Sequence, residues 1–428
     1  MPSFRIEGGH PLNGEVVPSG NKNAALPLMT ASLMATGEVT LHNVPQIGDV
    51  ATMLQLLTSM GVEAESSDGS TLRLRSQGAK RGQLDPELCR RIRASILLAG
   101  PMLSRFGAID LPPPGGDIIG RRRIDTHFLA LQAFGVEVEH NDRQYHMRAK
   151  AGLRGADVLL DEASVTATEN AIMAAVCADG ASVIRNAASE PHVQELCLFL
   201  RTLGAHIEGL GSNTLHIEGV KELHGGEHTI GPDYLEVVSF IAAGALTGGS
   251  MRIVNAGAKY LGMIRLVFKR LGVDWVEDGE DIVIESRNRL EITPDLGGFV
   301  PQITAQPWPA FPTDLVSLAI VVASQAEGSV LIHDWMYPSR MFFVDKLVSM
   351  GARIILCDPH RCIVEGPVQL IGEVLESPDI RAGMALVLAA LAAKGTSIIH
   401  NIGQIERGYE GIDEKLRRLG AKIERMPE

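Results

Sequence analysis

Cysteine is scarce in this sequence, and its positions form no recognisable framework. The five cysteines, at 89, 177, 197, 357 and 362, are odd in number and scattered, which fits reduced thiols better than disulfides. The stretch CDPHRC at 357–362 sets a histidine between two of them, but a zinc site needs a fourth ligand and usually a closer pair of cysteines. We therefore expect a solvated turn there.

A surplus of basic residues is missing, and so is an apolar stretch of membrane length. The 39 basic residues are outnumbered by 51 acidic ones, and the net charge of −12 disfavours nonspecific binding to nucleic acid or anionic membranes. The most apolar run, at 382–393, falls short of the roughly 20 residues that span a bilayer, and the N-terminal residues lack a signal-peptide pattern. We expect a cytoplasmic protein without membrane insertion, in which a local cationic pocket holds any anionic ligand.

The sequence does contain an internal repeat. Its 428 residues exceed one ordinary core, so two or more domains are expected. Six times, an apolar helix-like run and a Gly precede a β-branched run, an Asn or Asp, a second helix ending in Gly, and an alternating strand. The glycines that end the second helices, as left-handed C-caps do, recur every 68 to 79 residues: Gly61, Gly135, Gly204, Gly272, Gly351 and Gly420.

The longest interval of this repeat contains the polar stretch KELHGGEHTIGPD at 221–233, which we interpret as a linker with three repeats on each side. The sequence thus predicts an α/β fold of two similar domains with a cleft between them. The first helix of each repeat is apolar almost all round and is expected to be buried inside its domain.

Several first helices open with an acid beside a cap or a proline, as in TEN at 168–170, PTD at 312–314 and SPD at 377–379. An acid in the first turn commonly caps a helix or complements its dipole, which is enough to explain any one of them. Alternatively, several helix N-termini that point at a shared cleft would form an anion site. The sequence leaves both interpretations open.

One loop combines stiffness, hinges and charge: LPPPGGDIIGRRRIDTH, at 111–127, has three prolines and two glycines before Asp117 and three arginines. This loop and six further stretches resemble the enolpyruvyl transferases over essentially the whole chain: SGNKNAALP (19–27), RASI (93–96), ATEN (167–170), PAFPTD (309–314), DIRAG (379–383) and RGYE (407–410). The resemblance is to the members that act on UDP-N-acetylglucosamine. It implies transfer of the enolpyruvyl group of phosphoenolpyruvate to the 3′-hydroxyl of that sugar nucleotide, the first committed step of peptidoglycan synthesis, without a metal or organic cofactor.

The resemblance also implies an architecture. The family fold has two domains, each of three βαβαββ repeats in an inside-out α/β barrel, with the active site in the cleft. Applied to this chain, it gives a first domain at 22–229 that carries a mobile loop at 111–121. The second domain would comprise 1–21 and 230–428.

The residues that the resemblance assigns to phosphoenolpyruvate start with Lys22 and Asn23, at the beginning of a helix. Arg122 and Arg407 would hold its phosphate and carboxylate, with Arg381 and Arg340 nearby. Arginine suits this task because its planar fork binds both groups bidentately and stays charged when desolvated.

The residues assigned to the acceptor are Arg93, the stretch Arg122, Arg123, Ile124, Asp125 and Thr126, and Met336 through its backbone. Within this stretch, Arg123 inherits no individual role, nor does Arg121 before it, and both are expected on a solvated face. Asp314 would accept the proton of the attacking hydroxyl, and with Asp117, Lys22 and Arg407 it forms the implied catalytic set.

Asp117 occupies a position where many family members have a cysteine that protonates the methylene carbon of phosphoenolpyruvate, and where some have aspartate. Near pH 7 a free thiol keeps its proton, whereas a free carboxylic acid is ionised. Burial under a closed loop would favour the protonated acid, and the arginines would oppose it. We expect the negative charges of the substrate to favour protonation, and the absence of the thiol to give resistance to fosfomycin, which alkylates it.

Departures from the family pattern concern mainly the acceptor side, at Glu162, Thr166, Arg123, Tyr234 and Pro338–Ser339. They leave two alternatives open: an enolpyruvyl transferase for another hydroxylated acceptor, and a non-catalytic regulator that binds a nucleotide sugar. The joint presence of six donor-side and catalytic residues speaks against the regulator: Lys22, Asp117, Arg122, Asp314, Arg381 and Arg407.

Overall fold

The computed structural model describes residues 2–67, 69–117, 119–120, 122–141, 143–286 and 289–427. The chain divides into two compact units. The first unit comprises Gly20–Asp117 and Arg122–Gly231, and the second comprises Met1–Ser19, Ile118–Arg121 and Pro232–Glu428. Within the described part of the chain, no helix is long and apolar enough to cross a membrane.

Helices alternate with strands along both units. The α-helices are α1 (Lys22–Ala31), α2 (Gly48–Ser59), α3 (Pro86–Arg91), α4 (Ala99–Phe106), α5 (Asp125–Ala133), α6 (Val165–Ala175), α7 (Pro191–Thr202), α8 (Tyr234–Thr247), α9 (Gly262–Arg270), α10 (Val316–Gln325), α11 (Val344–Ser349), α12 (Ile380–Ala392), α13 (Gly403–Glu406) and α14 (Ile412–Arg418). Short 3₁₀ helices cover Ser32–Met34, Arg93–Leu98, Ala258–Tyr260, Thr313–Leu315 and Arg340–Phe343.

The strands are two to eight residues long, mostly within the range usual for globular proteins. They are β1 (Ser3–Glu7), β2 (Gly14–Val16), β3 (Val39–His42), β4 (Glu63–Ser67), β5 (Thr71–Arg75), β6 (Ala108–Leu111), β7 (Glu137–His140), β8 (Tyr145–Arg148), β9 (Asp157–Leu159), β10 (Ala181–Arg185), β11 (His206–Glu208), β12 (Thr214–Glu218), β13 (Gly226–Thr229), β14 (Met251–Ile253), β15 (Val276–Asp278), β16 (Asp281–Ile284), β17 (Leu290–Glu291), β18 (Gln302–Thr304), β19 (Ala326–His333), β20 (Arg353–Asp358), β21 (Arg361–Gly366), β22 (Val374–Glu376), β23 (Thr396–His400) and β24 (Lys422–Met426).

Each unit has three open sheets among its described residues. In the first unit their strand orders are β13-β3-β5-β4, β6-β8-β7 and β11-β12-β10-β9. In the second unit the orders are β22-β23-β1-β24, β15-β16-β14-β2 and β17-β19-β21-β20, with β18 also pairing with β19. Parallel and antiparallel pairs occur side by side: β3 pairs parallel with β13 in the register Val39 to Gly226, and antiparallel with β5. The predicted fold, a mixed α/β class with two units of three repeats each, is confirmed.

The six repeat glycines all end their helices in the predicted way. Gly61 has φ 90°, and its N–H donates to the carbonyl of Thr58 while the N–H of Val62 donates to Leu57. This pair of hydrogen bonds is the Schellman motif, which requires a residue in the left-handed conformation at the helix end and therefore favours glycine. The other five glycines have φ from 83° to 107° and the same pair of hydrogen bonds.

The apolar first helices are buried, as predicted: in α12 every residue from Ile380 to Leu391 is buried. The interpretation of 221–233 as a linker is wrong in its central part, because Gly226–Thr229 is strand β13. Its residues alternate between partly buried and exposed at a polar sheet edge, so the segment has no hydrophobic signal that marks a strand. In the CDPHRC stretch the turn comprises only Pro359 and His360, since the flanking residues belong to β20 and β21 and Cys362 is buried.

Candidate active site

In the first unit, α1 presents a buried lysine at its first residue. Asn21 caps the helix by accepting a hydrogen bond from the N–H of Asn23 at 2.8 Å. The Nζ of Lys22 lies 3.2 Å from Oδ2 of Asp49, which is in the first turn of α2, and both side chains are buried. A buried ammonium requires a counter-charge, and Asp49 is the ionic partner that offsets the burial of Lys22. Asp49 was not predicted.

The loop that precedes Asp117 is docked against the end of α3. The N–H of Gly115 donates to the carbonyl of Cys89 at 3.1 Å. A Cβ at Gly115 would lie 1.7 Å from the carbonyl oxygen of Arg90, so only glycine permits this approach. Gly115 is therefore required for close packing against α3, and its role as a loop hinge stays a prediction.

The next residue brings two predicted arginines to the same loop. A Cβ at Gly116 would lie 2.9 Å from Cβ of Arg93 and 3.4 Å from Nη1 of Arg122. The guanidinium of Arg122 therefore lies beside the loop one residue before Asp117. The predicted loop extends over Ile118 and Arg121, which lie outside the described residues.

Arg93 also fixes the backbone of the stretch assigned to the nucleotide sugar. Its Nη2 donates to the carbonyl oxygens of Arg122 and Arg123, both at 2.9 Å. A single guanidinium thus holds two successive peptide groups. The signal in the sequence was the RASI motif alone, since nothing local to Arg93 predicts a contact about 30 residues away.

The remainder of that stretch is tied to Asp161. Thr126 is buried, and its hydroxyl donates to Oδ1 of Asp161 at 2.6 Å. This hydrogen bond, with Arg123, holds the pKa of Asp161 below its ordinary value. Arg123 is exposed as expected, but it also pairs with Asp161 at 2.9 Å and with Asp125 at 3.1 Å. Between them, Ile124 is partly buried.

Thr166, one of the positions that differ from the family pattern, contacts the side chain of His127. The ring is buried, Nδ1 accepts from Nδ2 of Asn170 at 2.9 Å, and Nε2 is 3.1 Å from Oγ1 of Thr166. Burial and the charge of Arg93 lower the pKa of His127 to about 3, so the ring is neutral. The neutral tautomer that accepts at Nδ1 donates from Nε2 to Thr166.

In the second unit, Asp314 lies between two buried arginines. Its Oδ1 is 3.0 Å from Nη2 of Arg340, and its Oδ2 is 3.3 Å from Nε of Arg381. The arginine side chains are only 5% and 7% exposed, whereas Asp314 is 29% exposed. Pro312 is the N-cap of this short helix, so Asp314 does not occupy the capping position.

The two arginines are held in the charged form, and some of their N–H groups lack a hydrogen-bond partner among the described residues. Burial lowers their pKa values, but Asp314 and further carboxylates outweigh burial, so the pKa of each is raised. Among the described residues, Nε and Nη1 of Arg340 and Nη1 of Arg381 have no hydrogen-bond partner. Buried guanidinium N–H groups of this kind suit a phosphate or carboxylate ligand.

The other two acids expected at helix starts differ from Asp314, and the expectation is wrong for Glu169, because α6 begins at Val165 and Glu169 lies beyond its first turn. Asp379 is the N-cap of α12 and accepts from the N–H groups of Arg381 and Ala382 at 2.8 and 2.9 Å. Glu169 is buried in α6, where burial and then the charge of Glu190 raise its pKa well above the ordinary value. The capping interpretation therefore holds for Asp379.

The RGYE segment lies beside Arg381. The guanidinium of Arg381 is 5.6 Å from the ring centre of Tyr409, and Nη1 of Arg407 donates to Gln404 at 3.1 Å.

The backbone N–H of Met336 donates to Oδ1 of Asp334 at 3.0 Å, so a backbone contact from Met336 to a substrate would use its carbonyl. Asp334 was not predicted.

Comparison with known proteins fits this arrangement. The family described as EPSP synthase (3-phosphoshikimate 1-carboxyvinyltransferase) matches residues 6–416. A protein of Bradyrhizobium diazoefficiens described as UDP-N-acetylglucosamine 1-carboxyvinyltransferase is 55% identical over 425 residues, covering 99% of this chain and 98% of the relative. A protein of Treponema denticola with the same description is 51% identical over 424 residues, covering 99% of both.

Solved structures agree with the family and the fold. The enolpyruvyl transferase NikO from Streptomyces tendae superposes with a TM-score of 0.88 at 25% identity and covers 99% of both chains. EPSP synthase from Acinetobacter baumannii shares the fold, with a TM-score of 0.76 at 19% identity over 100% of both chains. The chain therefore belongs to the EPSP synthase family of carboxyvinyl (enolpyruvyl) transferases, as predicted.

Proposed function

We propose that this chain is a transferase that moves the enolpyruvyl group of phosphoenolpyruvate to the 3′-hydroxyl of UDP-N-acetylglucosamine and releases phosphate, the first committed step of peptidoglycan synthesis. Relatives of that name at 55% and 51% identity over nearly the whole chain support the proposal. The structural observation that carries it is the position of Asp314 between two buried arginines that still have unpartnered N–H groups among the described residues.

The surroundings of Asp314 suit a reaction that removes a proton close to bound anions. A carboxylate is a competent general base once it is within hydrogen-bond reach of the hydroxyl. Arg340 and Arg381 hold the carboxylate from opposite oxygens and fix its orientation. Their remaining N–H groups supply positive charge where the substrates carry negative charge.

The reaction is an addition followed by an elimination. Asp314 takes the proton of the 3′-hydroxyl while the oxygen of that hydroxyl attacks C2 of phosphoenolpyruvate. Asp117 gives a proton to C3. In the resulting adduct, C2 carries both the sugar oxygen and the phosphate. In the elimination, the Asp117 carboxylate takes a proton back from C3, and phosphate departs with the electrons of its C–O bond and with the proton that Asp314 had accepted. The double bond and both carboxyl groups are thereby restored.

The binding residues divide between donor and acceptor. Lys22, Asn23, Arg122, Arg340, Arg381 and Arg407 hold phosphoenolpyruvate. Arg93, the stretch from Arg122 to Thr126 and the backbone of Met336 hold the sugar nucleotide. Asp161 binds Thr126 and Arg123 in the first unit, and these contacts hold the 122–126 stretch that would bind the sugar nucleotide.

The test is phosphate release from phosphoenolpyruvate with a panel of hydroxylated acceptors that includes UDP-N-acetylglucosamine and shikimate 3-phosphate. We expect release only with UDP-N-acetylglucosamine. Release with another acceptor alone would favour a different transferase. Calorimetric binding of UDP-N-acetylglucosamine without release from any acceptor would favour the non-catalytic regulator.

A further inference from the structure

Asp334 is a buried carboxylate at the end of β19 that the proposed reaction does not use. It is 0% exposed. Its backbone N–H donates to the carbonyl of His360 at 2.8 Å, and its carbonyl oxygen lies 2.7 Å from Nδ1 of His360. Because both backbone groups are held by the turn between β20 and β21, the side chain projects from a fixed point.

The carboxylate of Asp334 contacts three segments that the proposed function uses. Oδ2 accepts from the hydroxyl of Thr313 at 2.6 Å, and Oδ1 accepts from the N–H of Met336 at 3.0 Å. Nε of Arg340 lies 3.7 Å from Oδ2, too far for a hydrogen bond but close for opposite charges. Burial raises the pKa of Asp334, while Thr313 and Arg340 act in the opposite direction.

These contacts close a ring around Asp314. Thr313 is its covalent neighbour, Arg340 is its ionic partner at 3.0 Å, and both are in contact with Asp334. Arg381, the second partner of Asp314, is fixed independently, since its backbone is capped by Asp379. A change at Asp334 therefore loosens Asp314 on the Arg340 side and leaves the Arg381 side in place.

We propose that Asp334 is a positioning residue for the acceptor base, holding Thr313 and Arg340 so that Asp314 keeps the orientation that proton transfer requires. The inference rests on the proposed function, because it assigns Asp334 a role only through Asp314. Small errors of position reduce catalysis strongly, and a displacement of about 1 Å can cost about 100-fold in rate.

The primary test is the variant Asp334→Asn, which keeps the shape and an acceptor oxygen but removes the charge beside Arg340. We expect kcat to fall by about 10- to 100-fold while KM for phosphoenolpyruvate changes by less than about threefold. Thr313→Ala and Thr313→Ser form a matched pair: the serine variant keeps the hydroxyl and should retain kcat within about twofold, and the alanine variant should not.

A double-mutant cycle separates positioning from general support of the fold. If Asp334 acts through Arg340, Asp334→Asn should cause little further loss of kcat when Arg340→Lys is already present. Asp281→Asn is the control, because Asp281 also pairs with an arginine, Arg252, and accepts from a backbone N–H in the second unit. The control should keep the wild-type kcat, and thermal unfolding should show that every variant is folded.

The proposal is overturned if Asp334→Asn keeps kcat within about threefold of wild type, or if the losses in the cycle are additive. If Asp334→Asn does not fold, equal kcat values for the two Thr313 variants overturn it instead. Wild-type protein that does not turn over UDP-N-acetylglucosamine contradicts the proposed function and, with it, the role given to Asp334. An active wild type with an unaffected Asp334→Asn contradicts the positioning role alone.

Discussion

Asp314→Asn is the substitution whose effect on rate and on stability can be worked from the structure. Asparagine keeps the volume and one carbonyl oxygen, so it can still accept from one of the two arginines. It cannot take a proton. Loss of a general base typically costs 10²–10⁴-fold in rate, or about 2.7–5.5 kcal/mol at 1.36 kcal/mol per tenfold.

The cost in stability should be smaller. Breaking a fully buried ion pair costs about 3–5 kcal/mol because a charge is left uncompensated. Asp314 is 29% exposed, and further carboxylates face both arginines, among them Asp334 near Arg340 and Asp233 near Arg381. We therefore expect a loss of about 1–3 kcal/mol of unfolding free energy, which leaves the variant folded and open to kinetic measurement.

The assay is phosphate release at saturating substrates, with calorimetric binding of UDP-N-acetylglucosamine measured in parallel. We expect kcat to fall by at least 100-fold while the acceptor Kd changes by less than about fivefold. Asp281→Asn serves as the control for the loss of an Asp–Arg pair. Turnover within about threefold of wild type would refute the base assignment and leave Asp314 only a role in holding Arg340 and Arg381.

Three further predictions concern Asp117, the loop at 111–121 and His127. Asp117→Cys should remain active and become sensitive to fosfomycin, whereas Asp117→Asn should be nearly inactive because an amide cannot donate the proton. An active Asn variant would argue against proton donation by Asp117. Hydrogen exchange across 111–121 should slow when UDP-N-acetylglucosamine is added, and unchanged exchange would argue against a closing loop. His127 has a pKa of about 3 in the folded chain against an ordinary 6.5, so the unfolded chain binds the proton first and stability is lost as pH falls from about 6.5 towards 3. Urea unfolding should show a loss of about 1.4 kcal/mol per pH unit that His127→Gln lacks, and equal slopes would contradict it.

The parts of the fold that sequence predicts well are those that local chemistry determines. Gly61 and the five equivalent glycines end their helices in the left-handed conformation that glycine favours, so their spacing revealed six repeats. Helix α12, which is apolar apart from Arg381, could only be buried. Strand β13 was missed because a glycine and three polar residues at a sheet edge carry no hydrophobic signal, and its pairing with β3 depends on residues far away in the chain.

The site divides in the same way. Motifs identified Asp314 and Arg381, and the family resemblance added Arg340, but their pairing joins residues as many as 67 positions apart and has no local signature. Asp49, Asp161 and Asp334 were missed for the same reason, since an acid at a helix start or strand end has many other uses. Roles for Lys22, Asn23, Arg93 and the 122–126 stretch stay predictions until substrates are bound.

The central claim is that the enolpyruvyl group is transferred to the 3′-oxygen of UDP-N-acetylglucosamine. Its most direct test is an NMR measurement of the product formed from phosphoenolpyruvate labelled with ¹³C at C2. We expect a labelled vinyl-ether carbon coupled to H3 of the N-acetylglucosamine ring, with phosphate released in equal amount. Label on another oxygen, or phosphate release without labelled sugar nucleotide, would contradict it.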